Sequence, residues 1–131
     1  MAQEINLWDI GGVSLKRLVI GVLLIILFSG CSSNLCTNEV VKMIESPDHT
    51  YVAYLFKRDC GATTKESYQL SILKKGTELG NEEGNVYISY GDFNIEWSKS
   101  CELTVEYWSS DVFKNKSAYK NVKINYKYKK S

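Results

Sequence analysis

From residue 39 to the end of the chain, apolar and polar positions mostly alternate, and helical spacing is rare. Val41 and Met43 alternate with Val40, Lys42 and Ile44. The segment Ser46-Pro47-Asp48-His49-Thr50 carries turn chemistry, and a second strand follows over 51–57. Two runs split by a five-residue turn predict a hairpin. A third strand sets Tyr68, Leu70 and Ile72 on one face, with Gln69 and Ser71 on the other. Residues 76–85, rich in Gly, Glu and Asn, read as the most mobile loop of the chain. A fourth strand places Val86, Ile88 and Tyr90 on one side. The fifth alternates Phe93, Ile95 and Trp97 with Asn94, Glu96 and Ser98, and the sixth alternates Cys101, Leu103, Val105 and Tyr107 with Glu102, Thr104 and Glu106. The last alternates Val122, Ile124, Tyr126 and Tyr128 with lysines and Asn125.

About seven short strands predict an all-β fold: a small antiparallel meander, closed as a sandwich or left as an open barrel. Each strand has one apolar face, as when one side of a sheet meets water. The lysines on the last strand suit a guarded edge. The aromatic residues, nine Tyr, four Phe and three Trp in the whole chain, fall mostly on the apolar faces and read as core.

Residues 18–28 break this pattern with an unrelieved apolar run. Lys16 and Arg17 precede it, and Ser29, Gly30 and Cys31 follow. A helix of this run covers roughly 16 Å, short of the roughly 30 Å of a bilayer core. The arrangement is that of a signal peptide: a basic start, a short apolar helix, then small residues. Ending in Phe28-Ser29-Gly30-Cys31, it resembles the signal peptides of bacterial lipoproteins. That resemblance implies cleavage before Cys31, a diacylglycerol thioether on Cys31 and acylation of the new amino terminus. Phe28 stands where that family more often has Leu. A plain signal peptide and an uncleaved anchor are the alternatives. More than one acyl chain gives durable membrane attachment. Ser32, rather than Asp, after the cysteine implies by the same resemblance an outer-membrane destination where the cell has one. Residues 1–12 carry Glu4 and Asp9 and no basic group, so Val13 is the better starting residue. The expected organisation is then a signal peptide over 1–30, a lipidated tether over 31–37 and one β domain over 38–131.

Removing 1–30 takes away two basic and two acidic groups and leaves the net charge at +1. That near-neutral total gives no argument for nucleic acid. The distribution is uneven. Residues 76–111 hold eight carboxylates against Lys99, whereas 113–131 hold seven lysines and no carboxylate. Two facing strands of complementary charge account for this. A lysine face on anionic headgroups is the alternative.

With Cys31 assigned to lipid, Cys36, Cys60 and Cys101 remain, and an exported domain permits a disulfide. If Asp48 centres the hairpin turn, antiparallel partners have numbers totalling about 96, which pairs Cys36 with Cys60 at the open end. Closing that loop stabilises by roughly 3 kcal/mol. Cys101 is then expected to point inward with Leu103 as a small buried hydrophobe. Three cysteines with His49 make a poor metal site, because no Cys-x-x-Cys spacing is present. No metal or other cofactor is implied.

Ser46-Pro47-Asp48 with the strand after it resembles one strand-turn-strand unit of a β-propeller blade, but a closed propeller needs at least about four blades, and the chain is too short for them. Together with Arg58-Asp59-Cys60-Gly61-Ala62-Thr63-Thr64, the same residues resemble an uncharacterised family of small bacterial lipoproteins, a domain of unknown function. The likeness covers about 38–73 and implies an exported β-rich domain without supplying an activity. Within it, Arg58, Asp59, Gly61, Thr63 and Thr64 form a candidate recognition loop. The plainer account is a turn pinned by the disulfide, with Arg58 and Asp59 a solvated pair.

No nucleophile elbow, phosphate loop or His-Glu-x-x-His motif occurs, and no catalytic residue is expected. The best expectation is a membrane-anchored envelope lipoprotein, non-enzymatic, binding an envelope macromolecule or holding a structural place. An inhibitor of the lysozyme-inhibitor type is the alternative. A hydrolase built on Asp59 and a loop carboxylate is the third, and it requires a concave pocket around those groups.

Overall fold

The computed structural model describes residues 9–10, 13–28 and 35–130. The chain forms two compact units, Met1–Ser33 and Asn34–Ser131. In the first, β1 (Asp9–Ile10) and β2 (Val13–Ser14) form a short antiparallel ladder, and α1 (Leu15–Phe28) follows. Leu18, Val19, Ile20, Val22, Leu23 and Leu24 of α1 are exposed all around it. Among the described residues no helix is long and apolar enough to cross a membrane. Ser29, Gly30, Cys31 and Ser32, the residues of the expected cleavage site, lie outside the described residues.

The second unit is an all-β sandwich. One sheet contains β3 (Thr37–Glu45), β4 (Tyr51–Asp59), β5 (Ser67–Lys74), β6 (Tyr87–Ser89) and β9 (Val112–Asn115), in that spatial order. The other contains, in order, β10 (Ala118–Tyr119), β11 (Val122–Tyr128), β8 (Glu102–Tyr107) and β7 (Phe93–Lys99). Seven strands were expected and nine are described here. The difference lies in 112–119, where no strand was expected and where two short strands carry the chain from one sheet to the other. Pairing is antiparallel except that β11 runs parallel to β8.

The apolar faces meet between the sheets. Tyr51, Ala53, Leu55, Leu70, Ile72 and Tyr87 from one face Phe93, Ile95, Leu103, Val105, Val122 and Ile124 from the other. Burying a large aliphatic or aromatic side chain contributes about 1.5–3 kcal/mol, so this layer dominates the stability. One flank is closed by side chains reaching between sheet edges: the Trp97 Nε1–H donates to Ile44 O at 3.0 Å, and Lys42 Nζ donates to Asn94 Oδ1 at 3.0 Å. Both edge strands, β3 and β7, are thereby partly covered, which limits pairing with other chains.

The hairpin β3–β4 shows how its turn is specified. Ser46, almost fully buried, donates its hydroxyl to Asp48 Oδ1 at 2.7 Å and accepts the Tyr51 N–H at 3.0 Å. Asp48 also accepts the Thr50 N–H. His49 takes the left-handed conformation at φ 60°. These bonds hold the Asp48 carboxyl below its ordinary range, with Ser46 the main cause and the Thr50 N–H next. Glu45 is also lowered, by Lys75 first and His49 second.

The register near the turn, with Lys42 opposite Leu55, differs by one residue from the expected one. Val41 is then extruded as a bulge and Val40 faces Phe56, which restores the expected register at the open end. Thr37 faces Asp59, and Cys36 and Cys60 are bonded, with Cα atoms 3.8 Å apart. Deleting Val41 is expected to remove the bulge while leaving Val40 opposite Phe56 and Cys36 opposite Cys60. Thiol titration under native conditions would then find the same count as in the parent chain; two more reactive thiols would contradict the register argument.

Four expectations are corrected here. Residues 76–85 are not a loose loop but a strap bonded across the outer face of the first sheet. Gln69 and Ser71, read as solvent-facing, are buried beneath it: Gln69 Oε1 accepts the Gly84 N–H at 2.6 Å, and Ser71 Oγ accepts the Asn85 N–H at 3.2 Å. The Asn85 side chain both accepts from Ile72 N and donates to Ile72 O, standing in for a strand partner. In the fourth strand Tyr87 is the fully buried ring, while Tyr90 is exposed and stacks edge-on with Phe113 at 4.5 Å. Cys101 is exposed rather than buried, because β8 begins only at Glu102 and Cys101 falls in the tight turn before it.

Candidate functional site

The expected recognition loop is largely occupied with its own geometry. Arg58 donates to Asn38 Oδ1 at 2.8 Å and to Asn81 O at 3.1 Å, so it ties the strap to the hairpin. Asp59 accepts the Gly61 N–H at 3.0 Å, and Gly61 sits at φ 106°, where a side chain would be strained. Thr64 donates its hydroxyl and its N–H to Gly61 O. Thr63 is exposed. Arg58 and Asp59 therefore do not form the solvated pair expected of them: one braces the strap and the other caps its own turn. The cystine between Cys36 and Cys60 lies at the base of this turn, and Cys36 O accepts from Asn81 Nδ2 at 2.6 Å. A turn pinned by the disulfide is the account of the loop that its hydrogen bonds support.

Charge separates as complementary strands. Glu102 and Glu106 of β8 lie opposite Lys123 and Lys127 of β11. Glu106 meets Lys129 at 3.0 Å and Lys127 at 3.8 Å, and Glu83 meets Lys114 at 3.5 Å. Exposed pairs of this kind each contribute less than about 1 kcal/mol, so they set register more than stability. Among the described residues no group of three metal-ligating side chains converges, and His49 instead binds Glu45 at 2.9 Å.

A concavity of the domain lies elsewhere. At one end of the sandwich the two sheets part around a cleft of about 380 Å³ lined by Tyr87, Tyr107, Ser110, Val112, Asn115, Tyr126 and Tyr128. Its origin is the parallel pairing of β8 and β11. Their core-facing alternation, Leu103 and Val105 beside Ile124 and Tyr126, runs on past the filled core to Tyr107 and Tyr128, which are register partners. Their rings meet at 5.5 Å and 63°. Across the gap, Tyr87 of β6 stands 5.6 Å from Tyr126 and 6.5 Å from Tyr107, and packs edge-on against Phe93 at 4.6 Å. Tyr126 donates its hydroxyl to Lys116 O at 2.7 Å.

Tyr87 does not reach such a partner. Among the described residues its hydroxyl is the one buried side-chain polar atom with no hydrogen bond. Burial pushes the phenols of Tyr87 and Tyr126 above their ordinary range. The Ser89 hydroxyl offsets part of the Tyr87 shift but does not stand in hydrogen-bonding geometry to it, and it already accepts the Gly91 N–H at 3.0 Å. An unpartnered buried hydroxyl costs about 1–3 kcal/mol.

The aromatic residues were expected to be core. Tyr87 and Phe93 are, whereas Tyr107, Tyr126 and Tyr128 form the walls of an open cleft. Its one sequence signal was the overshoot of aromatic positions at the ends of two alternating strands, and nothing local revealed that those ends lie side by side.

The chain matches no protein-family model, no curated protein and no solved structure.

Proposed function

We propose that the chain is a lipid-anchored lipoprotein of a bacterial envelope, with its sandwich acting as a non-enzymatic binding module on the extracytoplasmic side. The observation that carries this reading is α1: 14 residues, apolar around its whole circumference, with Lys16 and Arg17 in its first turn and Ser29-Gly30-Cys31 directly after it in sequence. Such a helix extends roughly 21 Å, which suits a cleaved signal segment better than a span. An all-round apolar helix has its natural surroundings in lipid or in a translocation channel. The cystine supports an oxidising compartment. Asp59 serves its own turn and does not line the aromatic cleft, and this favours binding over hydrolysis.

The test is expression of the full chain in bacteria fed labelled palmitate. The parent chain is expected to carry label and fractionate with membranes, and Cys31→Ser to lose the label and keep the residues before position 31. Label retained by Cys31→Ser, or a parent chain recovered unlabelled in the cytosol, contradicts the reading.

A further inference from the structure

We infer that the cleft between β6, β8 and β11 is a binding site for a neutral sugar ring, with the Tyr87 hydroxyl as its buried anchoring point. This deepens the reading of the sandwich as a binding module and is independent of the anchor. The first observation is the orphaned hydroxyl. Tyr87 is only 1% exposed, yet its oxygen lacks a partner in a structure whose other described buried side-chain polar atoms all have one. A group that is costly to leave unpaired is retained most simply where something else pairs with it.

The second observation is the chemistry of the walls. Tyr107, Tyr126 and Tyr128 offer ring surface, and the rim position Tyr128 is 59% exposed, open to an incoming ligand. Ser110 and Asn115 add a hydroxyl and an amide, each able both to donate and to accept. Among the described residues no charged side chain lines the cleft, so an ion entering it would lose hydration without compensation.

A pyranose matches this combination. It has a face of C–H bonds that lies flat on a tyrosine ring, and a circumference of hydroxyls that donate and accept at once. A purely apolar ligand would use the rings but leave the Tyr87 hydroxyl, Ser110 and Asn115 unpaired. The volume, about 380 Å³, lies at the lower end of the range for small-molecule sites, which suits one or two sugar rings rather than a long chain.

The test is calorimetric titration of the full chain, held in a polyoxyethylene detergent that carries no sugar, with N,N′-diacetylchitobiose, cellobiose and maltose, and with N-acetyltyrosinamide as an aromatic comparison. At least one disaccharide is expected to bind saturably, with tyrosine resonances of the cleft shifting. Tyr87→Phe is expected to weaken that binding roughly 5- to 10-fold, the effect of one hydrogen bond. The same variant should melt at the parent temperature or above, because it removes an unpaired buried hydroxyl. Absence of saturable binding by all three sugars at about 10 mM, binding of the tyrosinamide alone, or a lower melting temperature for Tyr87→Phe each overturns the assignment. A chain that binds sugar but carries no lipid overturns the envelope reading alone, and a lipidated chain that binds no sugar overturns this one alone.

Discussion

Replacing Cys36 and Cys60 together by serine is expected to lower the stability of the domain by about 3 kcal/mol. The two residues are 24 apart in sequence, and the bond removes the freedom of that segment from the unfolded chain. The loss also has a local side. β3 is an edge strand, held over its first residues by β4 alone within the sheet. The cystine fixes its open end, and Asn81 hangs from the carbonyl of Cys36. Without the bond, residues 37–40 are expected to fray and to release the near end of the strap. For a domain of this size the melting temperature should fall by roughly 12–24 °C. Denaturation curves of the parent with and without reductant and of the double variant check this: the reduced parent should superimpose on the variant. A reduced parent as stable as the oxidised one contradicts it.

Truncating Phe56 to alanine is expected to cost about 3–5 kcal/mol, as large as any single truncation between the sheets. Phe56 is fully buried, yet it is not part of the layer between the sheets. Strand alternation turns Tyr51, Ala53 and Leu55 inward and Phe56 outward, in a row with Val40 and Gln69. The strap crosses this row, with Gly84 bonded to Gln69; a Cβ on Gly84 would stand 3.0 Å from the Gln69 Cβ and 3.0 Å from the Leu70 carbonyl. Phe56 is therefore buried on the outer face of the sheet, in the row that the strap crosses. Its removal should loosen the strap beyond the general loss of stability. Hydrogen exchange distinguishes the two effects: the Gly84 and Asn85 amides should exchange faster in Phe56→Ala than in Leu103→Ala at equal global stability. Equal protection in the two variants, or a cost below about 1 kcal/mol, contradicts this account.

Much of the fold was legible because single residues fixed it. Ser46, Pro47 and Asp48 specified the hairpin, and alternation in 93–97 and 102–107 specified the second hairpin. The cystine followed from register, although by a path the numbers concealed: pairing near the turn is offset by one residue, and the bulge at Val41 cancels the offset. The strap was illegible for a physical reason. Gly, Glu and Asn describe a loop whether or not it is bound, and what binds this one is a set of side-chain amides, Asn38, Asn81, Asn85 and Gln69, meeting backbone groups far away in sequence. For the same cause Gln69 and Ser71 read as exposed: polarity was taken for solvation, and their polar atoms are instead satisfied internally. Cys101 was misplaced because alternation was carried back one residue before the start of β8. The cleft was missed because it depends on β11 returning parallel to β8, a non-local choice that leaves no mark on either strand.

The measurement closest to the central claim is the intact mass and fragmentation of the amino-terminal peptide of the chain purified from bacterial membranes. The account predicts a peptide beginning at Cys31, with a diacylglycerol on its sulfur and an acyl group on its amine. An amino terminus upstream of residue 31 joined to an unmodified Cys31 would contradict it.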